Sequence, residues 1–257
     1  MSIVHVNGVR LHVEEVASVG PQRGTAVLVH GMTTDSMASW FLALAYPLAQ
    51  AGFRVLMHDL RGHGHSDRPA MGYSLDHFVA DLTALVAEHW RVEGPMHLFG
   101  NSFGGTIAFA YAARNPGRIA GIVTIESAPP IPAWFDRMRK RLARAAETLA
   151  DTDAILSSRP ISLRGLQAAS GLFTGTSLSV ELSESVLPSS AELAAIDCPV
   201  LCLYGGASAV RELAPDTRRL LPHSCHVVVP DQGHRLLVGA AGRVRAEVLP
   251  WLTAAVH

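Results

Sequence analysis

Apolar residues in this chain fall into short unbroken runs separated by longer amphipathic stretches. Thr25–His30, Phe53–His58, Pro95–Phe99, Arg118–Ile125, Pro199–Tyr204 and His226–Val229 are such runs. Continuous apolar runs of this length are expected of strands covered on both faces. Between them lie segments with helical spacing: Ser36 to Ala51, closed by Gly52; Tyr73 to Trp90, with Ser74 as its cap; and Gly105 to Arg114. Ile3–Val6 and Val9–Val16 flank Asn7-Gly8, a pair suited to the positive φ angles of a tight hairpin turn. Strands alternating with helices predict an α/β fold, a mostly parallel eight-stranded sheet with helices on both faces. The opening hairpin adds antiparallel strands at one edge.

One region interrupts the alternation. From Ala128 to about Leu193 no run reads as a strand, and Pro129, Pro130 and Pro132 open the segment. A helix from Trp134 to Leu149 follows, with Met138, Leu142, Ala145 and Leu149 on one face. The expectation is a core of residues 1–128 and 194–257 with a helical lid, residues 129–193, inserted between two strands. Ligands of open α/β sheets bind outside the carboxyl ends of the strands, which is where this insertion emerges.

With 257 residues and 49% hydrophobic content, the chain is long enough for a large core. A net charge of −1 gives no global field favouring nucleic acid or a membrane surface. No apolar run approaches a membrane span, and Met1–Val6 lacks the basic and apolar segments of a signal peptide. Three cysteines, Cys198, Cys202 and Cys225, read as reduced thiols of a cytoplasmic protein.

The candidate chemistry lies at Gly100-Asn101-Ser102-Phe103-Gly104, between a predicted strand and a predicted helix. Gly-x-Ser-x-Gly in that context is a nucleophile elbow, a turn so sharp that small residues must flank the serine. The helix that follows points its positive end at the hydroxyl. His63 and His65 lack carboxylate or thiol companions at metal-ligand spacing, so no metal or other cofactor is expected.

Four segments in order, His30-Gly31-Met32, Asp59 to Asp67, the Ser102 elbow and Gln232-Gly233-His234, resemble the α/β-hydrolase family over nearly the whole chain. The resemblance implies that Ser102 is the nucleophile and His234, last in chain order, its base. It implies further that the amides of Met32 and Phe103 form the oxyanion hole, and that His63 sits in a structural turn. In most relatives an acid follows the strand equivalent to Val200–Tyr204. Here Ser208 stands at that place, and a hydroxyl cannot carry the charge that stabilises an imidazolium. Glu126 is the leading replacement. It closes an apolar strand, where a carboxylate needs a partner, and some haloalkane dehalogenases carry their acid there. Asp231 is the second candidate, and Asp59 reads as a loop brace with Arg61. A serine nucleophile excludes dehalogenation and epoxide opening, which need a carboxylate to form an alkyl ester.

These readings lead to a serine hydrolase cleaving a carboxylic ester, lactone or thioester through an acyl-enzyme on Ser102, with a small-molecule acyl substrate. A carbon–carbon bond hydrolase of ring-cleavage type and a non-catalytic ligand-binding member of the fold are the alternatives. Trp40 and Trp134 are candidate pocket walls. Arg137, Arg139, Lys140, Arg141 and Arg144 crowd one helical segment, consistent with an anionic substrate, an acyl group on an acidic carrier protein, or a solvated face.

Overall fold

The structure is a computed structural model and describes residues 2–149 and 170–254. The sheet has eight strands: β1 (Ser2–Val6), β2 (Val9–Val16), β3 (Gly24–Val29), β4 (Phe53–His58), β5 (Met96–Asn101), β6 (Ile119–Ile125), β7 (Val200–Gly205) and β8 (Cys225–Val229). Their order is β1-β2-β4-β3-β5-β6-β7-β8. β1 and β2 pair antiparallel, as do β2 and β4, and every other neighbouring pair is parallel. The opening hairpin turns at Asn7 and Gly8, both with positive φ.

The period of two along the strands divides the core. Val27, Val29, Leu98, Ile122 and Val200 face one helical layer. It contains α3 (Leu75–Ala84) and α4 (Phe103–Arg114). Ala26, Leu28, Phe99, Val123 and Leu201 face the other. There α1 (Ala38–Trp40) passes through a π-helical turn into α2 (Tyr46–Gln50), and α10 (Ala241–Ala254) packs beside them. The predicted helix over 36–51 is therefore one helical run with a locally widened turn. The predicted helix over 73–90 likewise ends in a π turn, Leu85–His89. Ser74 occupies the cap position of α3, but its hydroxyl pairs with His77 Nδ1 at 2.7 Å. The cap role passes to a distant hydroxyl, because Ser185 Oγ takes the Leu75 amide at 2.8 Å.

Between β6 and β7 the described residues contain no strand. α5 (Pro132–Leu149) begins on a proline, whose missing N–H is no loss in a first turn. Trp134, Phe135, Met138 and Leu142 are buried on its inner face. Residues 150–169 of the predicted lid, and the side chains of Ala145 and Leu149, lie outside the described residues. α6 (Leu178–Ser183) is tied to the loop before α3, where Glu181 accepts the amides of Gly72 and Tyr73. α7 (Ser190–Ala194) leads back to β7. After β7, a 3-10 turn (Ala209–Leu213) and α8 (Ala214–Leu220) lead to β8, and the short α9 (Leu236–Gly239) precedes α10. Among the described residues no helix is long and apolar enough to cross a membrane.

Candidate active site

Ser102 sits between β5 and α4 with φ +50° and ψ −117°, a conformation that L-residues rarely adopt. The neighbouring glycines make it possible. A methyl group on Gly100 would collide with Gly105, and one on Gly104 would strike the carbonyl of Val29. The turn is held by Ser102 N–H donating to the Ile125 carbonyl at 2.8 Å and Gly105 N–H donating to the Ser102 carbonyl at 3.0 Å. Ser102 Oγ stands 3.0 Å from His234 Nε2.

His234 lies in the loop after β8, and its Nδ1 stands 3.0 Å from Glu126 Oε2. A carboxylate accepts only, so Nδ1 carries the proton and Nε2 is free to accept from the serine hydroxyl. Glu126 ends β6 with φ +56° and is completely buried. Three donors meet its two oxygens: Gly205 N–H at 2.5 Å on Oε1, and the Ser208 hydroxyl and His234 on Oε2. The burial of this carboxylate is thus compensated on every side. Asp231 makes no hydrogen bond or ion pair to His234 among the described residues. Arg137 pairs with Glu212 at 2.6 Å and donates to the Ala209 carbonyl.

The loop after β3 is braced by side chains from three directions. Leu60 N–H donates to His30 Nε2 at 2.9 Å, so His30 Nδ1–H donates to the Gly31 carbonyl at 2.6 Å. Asp35 accepts from the Gly31 amide at 2.6 Å and from Asn101 Nδ2 at 2.9 Å, tying this loop to the elbow. Thr33, with φ +70°, donates its amide to His63 Nε2 at 2.9 Å. Burial pushes the His63 imidazole down to about 3, which keeps it neutral and able to accept that bond. The amides of Met32 and Phe103 have no acceptor among the described residues. Phe103 N–H is a first-turn helix donor with no intrahelical partner by construction. Both are therefore available to an oxyanion.

Asp59 braces the loop, but not through Arg61. It accepts from the Met37 and His65 amides at 3.0 Å and pairs with His12 Nδ1 at 2.9 Å. Arg61 turns the other way into a buried bidentate pair with Asp81, at 2.7 and 2.6 Å. Trp40 and Trp134 are core residues rather than pocket walls. Trp40 is fully buried, edge to face with Phe99 on the α1–α2 side. Trp134 is 1% exposed and donates Nε1–H to Thr106 Oγ1 at 2.6 Å, pinning α5 to α4. Among the described residues no group of three His, Cys, Asp or Glu side chains could hold a metal. From α5, Arg141 reaches back to the site, its Nη1 3.4 Å from His234 Nε2.

A family model described as the alpha/beta hydrolase fold matches residues 26–162, more than half of the chain. The chain belongs to the α/β-hydrolase fold family. It is 30% identical over 209 residues to the AB hydrolase superfamily protein YisY of Bacillus subtilis, a match covering 73% of this chain and 76% of that one. It is 36% identical over 117 residues to a non-heme chloroperoxidase of Streptomyces lividans, covering 46% and 42%. The chain spans about two-fifths of the length of the haloperoxidase relatives it matches. In backbone it resembles a carboxylesterase structure from Nitrososphaera gargenis, with a TM-score of 0.80, 21% identity, and coverage of 99% of this chain and 98% of that one.

In this α/β-hydrolase the arrangement Ser102–His234–Glu126 is continuous, and it can move a proton from a hydroxyl to an imidazole beside two unused amide donors. The sequence pointed to each of these residues but missed the part Ser208 plays. The signal was present. A hydroxyl stands just beyond β7, facing the end of the neighbouring strand, where a buried carboxylate needs a donor.

Proposed function

We propose that this α/β-hydrolase is a serine hydrolase that cleaves carboxylic esters, lactones or thioesters through an acyl-enzyme on Ser102. The observation that carries the reading is the unbroken hydrogen-bonded line from Ser102 through His234 to Glu126. Ser102 Oγ attacks the acyl carbon while His234 Nε2 takes its proton, and the amides of Met32 and Phe103 receive the negative oxygen. The tetrahedral adduct collapses, the leaving alkoxide or thiolate takes the proton from His234, and the acyl group stays on Ser102. Water then attacks that ester, again giving up a proton to His234, and the acid departs. Glu126 holds the imidazole in the required tautomer and faces its positive charge. The segment 129–193 serves as a lid that shapes the acyl pocket.

A fluorophosphonate probe with intact-mass readout tests this. One adduct, absent in Ser102→Ala, supports an activated serine, and a pre-steady-state burst of p-nitrophenol from an activated ester supports the acyl-enzyme. A folded protein that takes up no probe overturns the reading in favour of a ligand-binding member of the fold.

A further inference from the structure

The guanidinium of Arg141 is out of place in a site built only for neutral esters. Two other basic side chains of α5 are engaged at the surface: Arg137 with Glu212 and Arg139 with Asp136, each at 2.6 Å. Arg141 has no carboxylate within ion-pair distance among the described residues. It is exposed on α5, and its Nη1 meets the nitrogen of His234 that faces Ser102. A cation at that position competes with the serine hydroxyl for the lone pair of Nε2 and opposes the imidazolium that forms when the serine attacks. An anion on the substrate removes both effects, because it draws the guanidinium into a charge-assisted pair and neutralises its field.

Resting on the serine-hydrolase reading above, we infer that Arg141 is a specificity residue for esters whose acyl group carries a carboxylate. The hydroxyl of Ser102 and the guanidinium both stand within one hydrogen-bond length of the same imidazole nitrogen. An acyl carbon bound at Ser102 therefore needs only a short spacer, roughly two carbon atoms, before its carboxylate reaches Arg141. Half-esters of short dicarboxylic acids, and lactones bearing such a carboxylate, have this shape. The pair forms by contact, so salt weakens it less than it weakens long-range attraction to a generally basic lid.

The test compares monoethyl succinate with ethyl levulinate, which replaces the distal carboxylate by a neutral methyl ketone, by pH-stat at low salt and at 0.5 M salt (~4 Å screening length). The wild type is expected to prefer the half-ester at least about tenfold in kcat/KM at both salt concentrations. Arg141→Gln is expected to abolish the preference, through a higher KM for the half-ester and a higher kcat for the levulinate ester, and Arg141→Lys to retain part of it. Calorimetric titration of succinate into wild type and Arg141→Gln supplies a readout that needs no turnover. Ser102 labelled by fluorophosphonate with no preference for the half-ester overturns the inference and leaves the serine-hydrolase reading standing. Unlabelled Ser102 with Arg141-dependent succinate binding does the reverse. An equal rise for both esters in Arg141→Gln identifies the guanidinium as a plug, which also overturns the inference.

Discussion

Replacing Glu126 by glutamine changes one oxygen to an amide and leaves the volume unchanged, so its consequence can be followed atom by atom. The carboxylate accepts from Gly205 N–H through Oε1, and from Ser208 and His234 through Oε2. An amide has one oxygen and one NH2 group, which gives two orientations. With NH2 toward Gly205, two buried donors face each other, at a penalty of about 1–3 kcal/mol. With NH2 toward Ser208 and His234, the serine hydroxyl can rotate and accept. His234 must then accept at Nδ1 and carry its proton on Nε2. The second orientation avoids the clash, and it leaves Ser102 facing a nitrogen that cannot take its proton. Loss of the anion also removes the charge that faces the imidazolium. Both effects act on the chemical step, so kcat should fall on the order of 10⁴-fold, about 5 kcal/mol of transition-state stabilisation, with KM little changed. Steady-state kinetics on a p-nitrophenyl ester measures this, with circular dichroism to verify folding. A folded Glu126→Gln protein retaining more than about a tenth of wild-type kcat would refute the assignment.

Ser208→Ala removes a hydroxyl donor from the same buried carboxylate and an acceptor from Val210 N–H. Urea unfolding should show a loss of about 1.5–3 kcal/mol, and a loss under about 0.5 would mean that the hydroxyl bond is unimportant. Asp81→Ala strands the 3%-exposed Arg61 guanidinium without its anion and should destabilise the protein by about 3–5 kcal/mol in urea. Arg61→Met with Asp81→Leu should recover most of that loss. His58 is buried against Trp90, and burial lowers it to about 3. The unfolded chain takes up a proton near pH 6.5 that the native His58 refuses, so stability should fall as pH drops from 6.5 towards 3, by up to about 1.4 kcal/mol per pH unit for this group. Urea midpoints at pH 7 and pH 5 should draw together in His58→Leu, and an unchanged difference would remove His58 as a cause.

The sheet and the elbow were legible because their signals are local. Unbroken apolar runs mark strands covered twice, Asn7-Gly8 marks its own turn, and Gly100 and Gly104 are required by close backbone approach. The reach of Glu126 was readable from cost, since a carboxylate closing an apolar strand needs partners. What stayed hidden depends on side-chain direction across long sequence separations. Nothing near Arg61 in sequence distinguishes Asp59 from Asp81 as its partner, and only the docking of α3 decides it. Trp40 and Trp134 carry the composition of a pocket wall, yet the faces of α1 and α5 turn them into the core. The basic run on α5 likewise conceals that its members point in different directions, two to surface carboxylates and one to His234.

The ends of β6 and β7 lie side by side in the sheet, and Ser208 from beyond β7 meets His234 on one oxygen of the Glu126 carboxylate that closes β6. In the proposed triad the acid is thus a duty that either of two adjacent strand ends can discharge, provided the other supplies a neutral donor. Acids at both ends would set two carboxylates against each other and force them to share a proton. Acids at neither would leave the imidazole without its counter-charge. The roles of positions 126 and 208 are therefore exchangeable only as a pair, and Glu126→Ser with Ser208→Asp is the compensated swap that the geometry allows. In this chain Glu126 closes the strand that runs on into α5, so the carboxylate paired with His234 and the helix that carries Arg141 hang from the same short connection. A shift of that helix would be felt at the base as well as at the substrate.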